Sequence, residues 1–111
     1  MGTALTTARS FIRAVQEKDA DAAAELCTDD VEVLLPVVNV PFRGKDGVRQ
    51  MVRMAPAELL QSVREEEEDG TQVRVRTLTR APGVFANYTS WIFETDGQKI
   101  RHLTFELRAA N

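Results

Sequence analysis

The stretch "DDVEVLLPVVNVPFRGKDGVRQMVRM", Asp29 to Met54, decides how this chain is built. Val31 to Leu35 is β-branched and aliphatic and suits an extended strand, and Pro36, with no backbone N–H to donate, ends it. Val40 to Phe42 reads as a short second strand before Arg43-Gly44 restarts the chain as a helix. From Lys45 to Ala55, Val48, Met51, Val52 and Ala55 recur at helical spacing. Asp46 sits in the first turn, where a negative charge complements the helix dipole, and Pro56 closes the helix. The acids Asp29-Asp30, which favour turns, mark the boundary with whatever precedes the strand.

What precedes it is helical. Leu5, Ala8, Phe11, Ile12 and Val15 fall at intervals of three and four residues with Arg9, Arg13, Gln16 and Glu17 between them, an amphipathic pattern. Lys18-Asp19 interrupts it. Asp19 is placed to cap a second, shorter helix from Ala20 to Cys27, with Ala23, Leu26 and Cys27 turned inward.

After Pro56 the period changes. Asp69-Gly70, Pro82-Gly83 and Asp96-Gly97 are turn dipeptides spaced a strand apart, so four antiparallel strands are expected: Leu59 to Glu68, Thr71 to Arg80, Val84 to Thr95 and Gln98 to Ala109. Alternation sorts their faces. In the last strand Leu103, Phe105 and Leu107 face the core, and His102, Thr104, Glu106 and Arg108 face away. In the strand before it Phe85, Asn87, Thr89, Trp91 and Phe93 point inward. The opposite face carries Val84, Ala86, Tyr88, Ser90 and Ile92, still partly apolar, so a homodimer through Tyr88 and Ile92 is expected.

With 111 residues, 43% of them hydrophobic and 28% charged, the composition is that of one soluble globular domain spanning 1–111. A net charge of −3 gives no electrostatic reason for nucleic acid. No stretch approaches the roughly 20 apolar residues of a membrane span. The lone Cys27 cannot close an internal disulfide and the N-terminus lacks a signal-peptide pattern, which together point to the cytoplasm.

The order of Phe11 to Asp19, Asp29-Asp30-Val31, Phe42-Arg43-Gly44 and Trp91 to Ile100 resembles the SnoaL-like branch of the nuclear-transport-factor-2-like superfamily over nearly the whole chain. The resemblance implies a cone-shaped α+β barrel, three N-terminal helices packed into a curved antiparallel sheet around an apolar pocket, commonly dimeric. It includes ketosteroid isomerases, polyketide cyclases and epoxide hydrolases, so the residues must decide the activity. In the isomerases a tyrosine, a later acid and an aspartate before a proline do the chemistry. Here those positions are similar to Phe11, Thr89 and Leu35; a leucine cannot accept a proton and a phenylalanine cannot donate a hydrogen bond, so the isomerase base and main donor are missing. The hydrolase aspartate of the last strand falls at Phe105. Glu106 is the next residue, and a one-residue step turns a side chain to the other face.

The ionisable candidates therefore read plainly. His102 is the only histidine and lies on the outer face, a surface or interface residue rather than a ligand, and no metal or cofactor is expected. Cys27 reads as a small core residue. Arg74, Arg76 and Arg80 face Glu94 and Glu106 as a solvated ladder. The inward polar groups are Asn87, Thr89, Thr77 and the indole of Trp91. They either satisfy one another or orient the carbonyl or hydroxyl of an apolar ligand lying between Phe11, Leu35 and Phe105. A polyketide- or steroid-like molecule is the expected partner. The rivals are an enzyme using Glu106, Glu32 or His102, and a protein-interaction module.

Overall fold

The computed structural model describes residues 3–35, 41–55 and 58–109. Helix α1, Thr3–Glu17, buries Ala4, Thr7, Ala8, Phe11, Ile12, Ala14 and Val15, the stripe its spacing demands. It ends in a Schellman arrangement: Lys18 N–H reaches the Val15 carbonyl and Asp19 N–H the Ala14 carbonyl. Lys18 occupies the position usually given to glycine, with φ of 56°. Helix α2, Ala20–Glu25, is capped as expected, the Asp19 carboxylate accepting from Ala22 N–H at 3.1 Å.

Strand β1, Cys27–Leu34, starts earlier than the sequence suggests. Cys27 is not the last turn of α2. The Leu26 carbonyl accepts from Ile100 N–H at 2.9 Å, and this drawing of the chain into the sheet ends the helix. Asp29 and Asp30 likewise lie inside the strand, in a bulge between the paired residues Cys27 and Glu32, and are not a helix-to-strand turn. Thr28 donates to Asp30 there at 2.8 Å, and Lys45 sits 3.7 Å from Asp29. Strand β2 is Phe42–Arg43. Val40 lies outside the described residues.

Helix α3, Gly44–Met54, packs on Phe42 so closely that a Cβ on Gly47 would meet the Phe42 carbonyl carbon at 3.0 Å. Arg49 joins it to α2, bonding Asp46 at 2.7 Å and Asp21 at 3.0 Å. Then come β3, Leu60–Asp69; β4, Gln72–Ala81; β5, Phe85–Thr95; and β6, Ile100–Ala109, each antiparallel to the next. Val84 and Gln98, expected in strands, belong to the turns. One open six-stranded sheet results, ordered β2-β1-β6-β5-β4-β3, with β1 parallel to β6.

The three helices fill its concave side. Phe11, Val31, Val33, Val48, Val52, Val73, Val75, Phe93 and Leu103 are fully buried between the layers. At about 1.5–3 kcal/mol for each large apolar side chain removed from water, this layer carries the fold. Leu107 corrects the expectation of an unbroken core face. Its parity is inward but it is 49% exposed, because it lies further along the strand, beyond fully buried Leu103 and the 8% exposed Phe105, where the cover thins out. Among the described residues no helix is long and apolar enough to cross a membrane.

Candidate functional site

Inward residues of the sheet line up in rows. Gln61, Thr79 and Asn87 are cross-strand partners in one row; Val63, Thr77, Thr89 and Leu107 form the next, and Val75, Trp91 and Phe105 the third. Where α1 and α3 stop short of these rows a pocket of about 370 Å³ remains. Val15, Met51 and Met54 bound it from the helices, Leu35, Ala55 and Leu59 from the connecting segments, and Phe42, Phe85, Trp91, Phe105 and Leu107 from the sheet. Gln61, Thr79, Asn87 and Thr89 are its polar lining.

Of the six residues expected to form it, Leu35, Asn87, Thr89, Trp91 and Phe105 line the pocket. Phe11 does not. It is completely buried behind Trp91, edge-on to Trp91 at 6.3 Å and to Phe93 at 5.8 Å between ring centroids, so it backs the wall. Phe105 meets Trp91 edge-on at 4.8 Å and completes the aromatic floor.

The polar groups form a single chain of hydrogen bonds. Trp91 Nε1–H donates to Thr77 Oγ1 at 3.0 Å, Thr77 and Thr79 hydroxyls lie 2.9 Å apart, and Thr79 and Thr89 hydroxyls 3.0 Å apart. Two carboxamides end the chain, Gln61 at 2.8 Å from Thr79 and Asn87 at 2.7 Å from Thr89. Gln61 is the member that strand parity did not reveal. A bulge between Val63 and Glu65 gives β3 an extra residue, so Gln61 and Val63 face inward at one end while Glu66 and Glu68 do so at the other. Those two acids meet α1: Arg9 grips Glu66 at 2.6 and 2.8 Å, and the Leu5 N–H reaches Glu68 at 3.0 Å. The Arg9 guanidinium holds the Glu66 carboxyl below its usual range.

No ionisable side chain lines this pocket. The residues outside the description carry none in the sequence, so every carboxylate and the imidazole have a place. Glu32, His102 and Glu106 lie on the opposite face. His102 Nε2 is 4.0 Å from Glu32, which Arg43 approaches at 3.2 Å. Arg76 pairs with Glu65 of β3 at 3.5 Å rather than with Glu94, which lies opposite Gln72, or Glu106, from which Ser90 of β5 separates it. A shallow outer concavity of about 880 Å³ includes Arg76, Tyr88, Ser90, Glu106 and Arg108. Cys27 is fully buried and its thiol is pushed up to about 12 by loss of hydration. Among the described residues no cluster of His, Cys, Asp and Glu is arranged to hold a metal.

Residues 8–103 match the model of the SnoaL-like domain. The chain belongs to the SnoaL-like family. Solved structures of this fold are numerous. A protein from Sphaerobacter thermophilus is 28% identical, with 94% of each chain covered and a TM-score of 0.83. An NTF2-like protein of unknown function from Burkholderia xenovorans is 19% identical over 98% of this chain and 85% of its own, with a TM-score of 0.82. An LEH-like epoxide hydrolase from M. tuberculosis is 17% identical over 96% of this chain and 84% of its own, with a TM-score of 0.79. The last two show the fold alone. No curated protein matches the sequence. In this SnoaL-like chain the positions at which the resemblance looks for an acid, Leu35, Thr89 and Phe105, reach the pocket and bring to it two hydrocarbon side chains and a hydroxyl, while the donor position, Phe11, is buried behind it.

Proposed function

We propose that this SnoaL-like chain binds an uncharged, mainly apolar small molecule, polyketide- or steroid-like in its ring system, in the pocket over Trp91 and Phe105. One observation carries the reading: the pocket is apolar with four amide and hydroxyl side chains and no ionisable one. General acid–base chemistry needs a titratable group within hydrogen-bond reach of the reacting atom. Glu32, Glu106 and His102 sit across the thickness of the sheet from it, which weighs against an isomerase, cyclase or hydrolase built on them. Burying a charged ligand here would leave its charge unpaired, so neutral molecules are favoured.

Trp91 is the sole tryptophan and forms the floor. Titration of polycyclic ketones, quinones and epoxides, followed by its fluorescence and by melting temperature with product analysis of each hit, tests the reading. Binding without turnover is the expected outcome; turnover defeats the reading, and its survival in Glu106→Gln and Glu32→Gln variants would in turn exclude those residues as its source.

We also propose that a second copy covers the outer sheet face. Tyr88 is 41% exposed there beside half-buried Ile92, and Arg76, Glu106 and Arg108 supply both signs of charge, as a self-complementary interface needs. Light scattering at micromolar concentration decides this, a monomer being the refuting result. The free, buried thiol of Cys27 suits a reducing compartment and hence the cytoplasm.

A further inference from the structure

The hydrogen-bond chain beneath the pocket has a proton count that fixes what the pocket offers a ligand. Four contacts must each be filled by one proton: Thr77 to Thr79, Thr79 to Thr89, Thr79 to Gln61 and Thr89 to Asn87. Three hydroxyl protons are available, since Thr77 Oγ1 receives the indole N–H and gives its own proton onward. If both carboxamides turned their oxygens to the threonines, one short contact between oxygens would have no proton. If both turned their NH2 groups, a hydroxyl proton would be left without a partner among Thr77, Thr79 and Thr89, all of which are buried. With a single amide turned, the four protons fill the four contacts. The two ends of a carboxamide occupy nearly the same space, so either Gln61 or Asn87 accommodates the turn.

We infer that one, and only one, of Gln61 and Asn87 gives its NH2 to the threonines, so that the pocket presents one amide carbonyl and one amide NH2 to its occupant. Both side chains are only partly buried, and both line the cavity. The ligand class is thereby narrowed, within the binding reading on which this inference rests, to neutral apolar molecules that carry a hydrogen-bond donor and an acceptor on one ring, as hydroxyketones do. A hydrocarbon leaves both amide ends unsatisfied, and a plain ketone satisfies only the NH2.

Tetralin, 1-tetralone and 4-hydroxy-1-tetralone share a carbon frame and add these groups one at a time. Affinity for the unmodified protein is expected to rise at each step by roughly three- to tenfold, the worth of one net hydrogen bond. Gln61→Leu and Asn87→Leu are each expected to abolish one increment, and not the same one. Neutron diffraction from a deuterated crystal reads the amide orientations directly and without a ligand. Equal affinities for the three compounds, or both amides turned the same way, overturn the inference while leaving the pocket a binding site. Failure of all three compounds to bind defeats the binding reading instead, and the deuteron positions then still decide whether the two amides are opposed.

Discussion

Replacing Thr77 with valine keeps the shape of the side chain and removes the only hydroxyl that accepts from the Trp91 indole. Thr77 is 0% exposed and Trp91 3%, so water does not take over the bond. A buried donor left unpaired costs about 1–3 kcal/mol, and the stacked and edge-on contacts of Trp91 with Phe93, Phe105 and Phe11 prevent the ring from turning its N–H outward. A destabilisation of about 2 kcal/mol is expected, or a fall in Tm of roughly 8 °C at about 4 °C per kcal/mol for a chain of this length. Trp91→Phe loses apolar contact but leaves no orphan, at about 2 kcal/mol. The double variant should then cost little more than Trp91→Phe alone, since no N–H remains to be stranded. Urea denaturation of the four proteins by far-UV circular dichroism gives the coupling, expected near 1.5–2 kcal/mol. Additivity to within about 0.5 kcal/mol would refute the idea that Thr77 is held by the indole.

Three further outcomes are expected. Phe105→Ala should destabilise by about 3 kcal/mol, at the low end for an aromatic truncation because Phe105 already borders the pocket, as measured by chemical denaturation. Stability should decline on acidification. Arg9 depresses Glu66, and the Lys99 and Gln98 N–H groups depress Asp96, so these carboxylates stabilise the fold above their unfolded pKa and lose that contribution as pH falls through the lower folded values. Melting curves of Glu66→Gln and Asp96→Asn proteins from pH 7 to 3 should show a shallower decline than the parent; an unchanged slope refutes the assignment. Cys27, with its thiol raised to about 12, should react with a thiol reagent only at the rate of unfolding, and fast labelling in native buffer would contradict its burial.

The antiparallel part of the fold was legible because its signals are local. Turn dipeptides and period-two alternation placed β4, β5 and β6 to within a residue or two, and with them Asn87, Thr89, Trp91 and Phe105 on the inner face. The start of β1 was not legible. Ala22 to Cys27 continues a helical pattern by itself, and the bond that stops it comes from Ile100, distant in sequence. Parity told which way Leu107 points but not that the helices end before covering it. Phe11 was given the right face of α1 but the wrong depth, since the period of a helix does not say which inward residue borders a void. Gln61 was hidden by the bulge in β3, which lets alternate residues switch sides within a run of glutamates whose spacing carries no apolar contrast.

That same bulge divides β3 into two stretches with separate duties. The segment before Arg64 furnishes a polar wall of the pocket, and the segment after it grips α1 through Glu66 and Glu68. Because Arg64 has no partner in the ladder while Val63 and Glu65 keep consecutive partners on β4, the chain can be shortened there without any pairing being exchanged. Deletion of Arg64 should leave a folded protein with a straighter edge strand. Deletion of Ser62 would reverse the facing of the residues on one side of the gap, and circular dichroism with a denaturation curve would tell the two apart. In this chain, changes of length at one edge of the pocket have a single site where they leave the register intact.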